Sequence, residues 1–208
     1  MSKQTIWQRL KAKGFSDIAA AAIMGNMEAE SNCTSIRVQG DFSKGYQRST
    51  EYTAQVDAGN INRHEFIYDG PGGGGYGLCQ WTFQPRKAGL YDLAKKMGAS
   101  IGDEAMQIEW LCQELQQSEF KKVLAALMES PSIRECSDVI VKIFEKPADQ
   151  SEAVLKQRAE LGRAMYQEFS KGDGLITITG EQFETFSKAV LVVKMLRDLF
   201  TLVKEFDA

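Results

Sequence analysis

Histidine is almost absent: the 208-residue chain carries one, His64. A His-rich metal site or a His-based nucleophilic triad therefore has too little to build from, although cysteines and carboxylates remain as ligands. Cysteine is sparse and scattered. Cys33, Cys79, Cys112 and Cys136 form no C-x-x-C pair, which argues against zinc ribbons and thioredoxin-like motifs and leaves buried, reduced thiols as the expectation. Excess charge is lacking too. Lys and Arg number 25 against 28 Asp and Glu, for a formal charge of -3, so bulk electrostatics do not indicate nucleic acid as a partner. Lys3, Arg9, Lys11 and Lys13 precede no apolar h-region, and the expectation is synthesis in the cytoplasm without a signal peptide. No transmembrane segment is expected, since no apolar run approaches the about twenty residues a spanning helix needs.

The composition that remains, 43% hydrophobic and 25% charged, suits one well-cored domain with a small appendage. Ser16 reads as the N-cap of an Ala-rich helix over Asp17 to Glu30. Between Asn32 and Pro71 the helical pattern fails. Gly40, Gly45, Gly59 and Asn60 break the short runs there, which predicts loops with a small hairpin or sheet, the kind of long irregular stretch that often carries function. Beyond Arg86, apolar residues return at helical spacing: Ile108, Leu111 and Leu115, then Phe120, Val123 and Leu127, then Cys136, Ile140 and Phe144. A last helix of the main domain is expected from about Ser151 to Phe169. The fold class expected is α+β and predominantly α-helical, with a main domain over residues 1–172.

Residues 173–208 form a separate appendage in this reading. A strand-like run, Leu175 to Thr179, precedes an apolar helix in which Ala189, Val192, Leu196, Leu199, Val203 and Phe206 recur at steps of three and four, the spacing of a helix-pairing seam. Docking or self-association is the expected use.

Two segments carry chemistry. In Gly25-Asn26-Met27-Glu28-Ala29-Glu30-Ser31-Asn32, Glu30 lies seven positions after Ile23. At 100° per residue it falls about 20° from it, on the apolar stripe of the helix. Burial there raises a carboxyl pKa and suits a general acid, whereas Glu28, about 200° away, reads as a solvated bystander. In Gly70-Pro71-Gly72-Gly73-Gly74-Gly75-Tyr76-Gly77-Leu78-Cys79-Gln80-Trp81-Thr82, the glycines match neither a P-loop nor a dinucleotide fingerprint. Tyr76, Gln80 and Trp81 instead bring aromatic faces and an amide beside glycines that permit close approach, which suits a carbohydrate. Trp81 as plain core is the competing reading.

These segments, with Tyr52 to Asp57, Asp69 and Arg86 between and after them, resemble the phage tail lysozyme family of peptidoglycan-cleaving domains. Phe144-Glu145-Lys146-Pro147 and Arg158-Ala159 resemble that family's C-terminal helices, so the similarity runs from about Ile6 to Lys171. The Glu30-Ser31 pair and the later Gly-Leu-x-Gln are also similar to the signature motifs of goose-type lysozymes and soluble lytic transglycosylases. The resemblance implies a lysozyme-like fold, with the irregular or β insertion between the catalytic helix and the Gly-Tyr-Gly-Leu-x-Gln-Trp motif. It implies Glu30 as catalytic acid and Ser31, Tyr76, Gly77, Gln80 and Trp81 around the sugar. Departures from the pattern are Cys79, Cys33, Thr34 and the lengthened glycine run.

The function so implied is cleavage of the β-1,4 bond between N-acetylmuramic acid and N-acetylglucosamine, by hydrolysis or lytic transglycosylation, with no cofactor and no metal. A second carboxylate role is assigned first to Asp69, which borders the cleft motif, and then to Asp57, each also readable as a turn residue; the resembled families also work with one carboxylate, aided by the substrate's own acetamido group. The partner is bacterial peptidoglycan. The enzyme would act on the wall as a tail component or an endolysin after synthesis in the host cytoplasm. The alternative is a non-catalytic wall-binding or virion structural module.

Overall fold

The computed structural model describes residues 2–70 and 74–170. The appendage expected over 173–208, and the helix-pairing seam within it, lie outside the described residues. Among those described, nine α-helices follow one another: α1 Lys3–Ala12, α2 Asp17–Ser31, α3 Gln47–Asp57, α4 Arg63–Tyr68, α5 Gln84–Met97, α6 Glu104–Leu115, α7 Lys121–Glu129, α8 Ile133–Val139 and α9 Glu152–Phe169. A π-helical turn, Ile140–Glu145, continues α8.

The N-cap expected from sequence is in place at α2. Ser16 accepts a hydrogen bond from the Ala19 amide at 3.1 Å, and Asn32 closes the helix in the left-handed region at φ 56°. Between these caps Ala19 to Met24 are all buried. A helix that is apolar on every side belongs at the centre of a bundle, and α1, α8 and α9 surround α2.

One point of that bundle allows no side chain. Gly25 of α2 faces Gly162 of α9 so closely that a β-carbon on Gly25 would stand 2.4 Å from the Gly162 amide nitrogen and 2.6 Å from its α-carbon. A second close crossing joins α5 to α6, where a β-carbon on Gly89 would meet the Trp110 ring at 2.0 Å. Helix backbones approach this near only where glycine removes the intervening atoms.

The stretch over 32–70 corrects the expectation of loops and a hairpin. It contains α3 and α4, and its β character amounts to one isolated bridge, Val38 to Tyr76, with a second bridge from Tyr76 to Trp81. No strand occurs among the described residues. The periodicity was hidden because α3 buries Ser49 and Thr53 together with Val56. These polar residues sit at helical spacing but carry no hydropathy signal. Asp41 starts the helix from outside, accepting from the Ser49 amide at 2.8 Å and the Ser43 amide at 2.9 Å. An acidic side chain is favourable at a helix N-terminus.

Replacing Gly25 by Ala should force α2 and α9 apart and cost about 1–3 kcal/mol or more. Urea unfolding of the variant would check this, and an unchanged midpoint would mean that the crossing is not tight.

Candidate active site

The glycine crossing sets the register of α2 against α9. From Gly25 the chain runs on to Glu30 at the end of α2; from Gly162 one turn back along α9 is Arg158. The two side chains meet in an ion pair, Arg158 Nη2 to Glu30 Oε1, at 2.5 Å, with 10% and 18% of the side chains exposed. Arg158 Nη1 is buried without a hydrogen-bond partner.

Glu30 is thus mostly buried, as its position on the apolar stripe implied, but an opposite charge accompanies the burial. Glu28 departs from its expected role as a solvated bystander. It is paired with Lys3 at 2.8 Å and is 17% exposed, as shielded as Glu30, because α1 packs over that side of α2.

The residue after Glu30 fastens this helix end to the second motif. Ser31 is fully buried, and its hydroxyl lies 2.9 Å from the Leu78 carbonyl and 3.0 Å from the Met27 carbonyl as acceptors. The Leu78 amide donates to Gln107 Oε1 at 2.9 Å. Gly77 has φ 79° and abuts the same Gln107 side chain, which a β-carbon would reach at 2.7 Å. A glycine is required there for both reasons. Gln80 turns back to donate to the Arg37 and Gly77 carbonyls, both at 3.0 Å.

Tyr76 and Trp81 do not present their rings to a ligand: they are 1% and 0% exposed. The Tyr76 hydroxyl pairs with Thr53 Oγ1 at 2.6 Å, and Trp81 Nε1 donates to Glu114 Oε2 at 2.5 Å. Both hold the motif from beneath.

Glu114 is itself fully buried and also accepts from Arg86, Nε to Oε1 at 2.7 Å and Nη2 to Oε2 at 3.1 Å. Burial pushes its carboxyl pKa up, while Arg86 and the indole N–H pull it back. The third Arg86 donor, Nη1, reaches the Phe144 carbonyl at 3.0 Å, and the guanidinium lies 4.1 Å from the centroid of the Phe144 ring. Trp81, Glu114, Arg86 and Phe144 form one connected chain whose last link precedes Glu145.

Glu145 ends the π-helical turn and is followed by Lys146 at φ 51°. It opens onto a cavity of about 480 Å³ lined also by Gln80, Thr82, Phe83, Arg86, Glu119, Phe120, Phe144 and Lys146. Glu30 is not among the residues that line it. Glu145 nevertheless feels Glu30: its pKa is pushed up to about 8, first by burial and next by the Glu30 charge, with Arg86 and Arg158 opposing.

The cavity continues past Phe83, which also lines a neighbouring space of about 310 Å³ with Tyr68, Arg63 and Pro85. Phe83 and Tyr68 are 63% and 59% exposed. Phe83 gives the cavity an exposed aromatic face and Tyr68 gives one to the neighbouring space, whereas Tyr76 and Trp81 are turned inward.

The two aspartates considered for a second carboxylate role are not drawn into this cluster. Asp57 accepts from Ser100 Oγ at 2.5 Å and the Ile101 amide at 2.9 Å, so both of its oxygens secure the turn before α6. Asp69 follows Tyr68 at the C-cap of α4, is exposed, and has the His64 ring nitrogen 3.8 Å away. Glu145, Arg158 and Glu114 were given no role from sequence. Glu145 did carry a signal there, since it directly follows the apolar run ending at Phe144 and precedes Pro147 by two positions. Among the described residues no three His, Cys, Asp or Glu gather as metal ligands, and the four cysteines form no disulfide.

A predominantly helical body of this kind is consistent with a lysozyme-like fold. The chain belongs to the phage tail lysozyme family, whose model matches residues 2–169. Membership makes it a lysozyme-type protein of peptidoglycan lysis. A comparison with curated proteins finds no match.

Removing one partner of a buried ion pair leaves the other uncompensated. Glu114→Ala should therefore destabilise the protein by about 3–5 kcal/mol, read as a drop in thermal midpoint. A shift no larger than that of a surface substitution would show that the Arg86 charge is not held by Glu114.

Proposed function

We propose that this protein is a peptidoglycan glycosidase that cleaves the β-1,4 bond between N-acetylmuramic acid and N-acetylglucosamine, with Glu30 as general acid. The observation that carries this reading is the position of Glu30 at the end of α2. It adjoins Glu145 electrostatically and is tied through Ser31 to the Leu78–Gln80 side of a cleft about 480 Å³ in volume. Gln80 and Thr82 supply polar groups for sugar hydroxyls and Phe83 an apolar face for a ring. Ser31, Tyr76, Gly77 and Trp81 serve binding by holding that wall in shape.

Proton delivery to the glycosidic oxygen is worth about 10²–10⁴-fold in rate. Closure of the sugar by water gives a hydrolase, and closure by its own 6-hydroxyl gives a lytic transglycosylase. Family membership and the cleft support action on the bacterial wall, as a tail component or a released endolysin. Among the described residues no helix is long and apolar enough to cross a membrane.

A second reading, a wall-binding or virion structural module without catalysis, is favoured by one feature. Glu30 is engaged by Arg158 and does not line the cavity. Digestion of purified cell wall separates the two. Wild type should release soluble fragments, Glu30→Gln should lose about 10²-fold or more of that activity, and Glu28→Gln should keep it. Product masses distinguish a reducing end from a 1,6-anhydro end. Binding without release by wild type would support the structural module.

The apolar row through Val192, Leu196, Leu199 and Val203 supports self-association or docking on a tail assembly. Light scattering should report a mass above that of one chain, falling to one chain in Leu196→Asp. A monomer unchanged by the substitution would count against this.

A further inference from the structure

The chain as a whole is acidic, yet the stretch from Arg37 to Arg48, between the end of α2 and the first turn of α3, is locally basic. It carries Arg37, Lys44 and Arg48 against one acid, Asp41. Asp41 is 1% exposed, and both of its oxygens are taken by Ser43 and Ser49. None of the three cations forms an ion pair with a described residue.

Arg37 is the fixed member of this group. Its guanidinium carbon lies 4.4 Å from the centroid of the Tyr46 ring and 5.9 Å from that of Phe42. Tyr46 is anchored through its hydroxyl, which accepts from Asn32 Nδ2 at 3.0 Å, and Phe42 is 89% exposed. A guanidinium stacked on a ring uses its face and leaves its in-plane N–H donors free.

The main chain of Arg37 joins this group to the cleft. Its carbonyl accepts from the Gly77 amide at 2.8 Å and from Gln80 Nε2 at 3.0 Å, and Gln80 lines the cavity. Gln80 and Tyr46 hold left-handed backbone at φ 44° and 54°, a conformation that non-glycine residues keep where their surroundings impose it and that gathers at functional sites. The cavity wall itself carries Glu119 and Glu145. A neutral glycan enters an acid-lined cavity without electrostatic cost, whereas an anionic branch on that glycan is repelled there and attracted to the basic stretch beside it.

We propose that Arg37, supported by Lys44 and Arg48, binds a carboxylate of the short peptides that peptidoglycan strands bear, and so makes the protein select peptide-bearing strands. The inference rests on the glycosidase reading above. The planar fork of a guanidinium meets a carboxylate with two parallel hydrogen bonds, a geometry that a lysine does not reproduce. Phe42 offers the peptide an apolar face beside that contact.

Cleavage kinetics on two substrates test this: soluble glycan strands with their peptides intact, and the same strands after an amidase has removed the peptides. Wild type should show a KM about 10-fold lower on the peptide-bearing strands, a preference that shrinks as salt rises. Arg37→Met should bring the ratio of the two KM values close to one, acting through KM rather than kcat. Arg37→Lys, which keeps the charge and loses the fork, should fall between the two. Should Arg37→Met fail to fold, the double variant Lys44→Gln, Arg48→Gln, altered only at exposed positions, should still lower the preference. Equal KM values for wild type on both substrates, or a ratio unchanged in Arg37→Met, overturn the proposal. If wild type cleaves neither substrate, the glycosidase reading fails and calorimetric binding of the same strands decides the site. A binding preference for peptide-bearing strands that Arg37→Met loses supports it, and equal binding of both overturns it.

Discussion

The cleft hangs on the buried bond between Glu114 and Arg86. Glu114 is fully buried and takes three hydrogen bonds, one from Trp81 and two from Arg86. Arg86 turns its remaining nitrogen, Nη1, to the Phe144 carbonyl and its flat face to the Phe144 ring. A buried ion pair of this kind adds little net stability, since desolvation offsets most of the attraction. What it contributes is position. Three parts of the chain, the stretch from Trp81 to Arg86, α6 and the π-helical turn, are brought to a common point by groups that cannot be left unpaired.

A second pair, Glu30 with Arg158, has a different origin. It follows from steric contact, because Gly25 and Gly162 let α2 and α9 cross backbone to backbone. A slip of one residue in that register would carry Arg158 away from Glu30 and leave both charges shielded without partners. Two acids and two guanidiniums therefore converge from unrelated causes, one set by polar satisfaction and the other by close packing. Their convergence is felt at Glu145, whose carboxyl is pushed up by burial and by the Glu30 charge while Arg86 and Arg158 oppose. Pairs of carboxyl groups held in unlike surroundings are a general route to acid and base chemistry near pH 7.

Much of the helical framework was legible. Ser16 caps α2 as its chemistry requires, and the apolar spacings after Arg86 became α6, α7 and α8. The insertion was misread because α3 buries hydroxyls. Ser49 and Thr53 find partners in Asp41 and Tyr76, and no hydropathy pattern reports a satisfied buried hydroxyl. The aromatic motif was read in the right place and with the wrong facing. Tyr76 and Trp81 carry polar atoms that found partners inside, so they turned inward, and the exposed ring on the cavity is that of Phe83.

By itself the sequence determined where the helices run, that Glu30 sits on a buried stripe, and that the glycine-rich motif adjoins it. Those properties depend on neighbours within a few turns of chain, where cap chemistry and periodicity operate. Tertiary structure alone decided that Arg158 meets Glu30, that Glu145 faces the cleft, and that Asp57 is occupied elsewhere. Each of those outcomes joins residues distant in sequence, and Coulomb and hydrogen-bond energies act on distance in space, which no local pattern encodes.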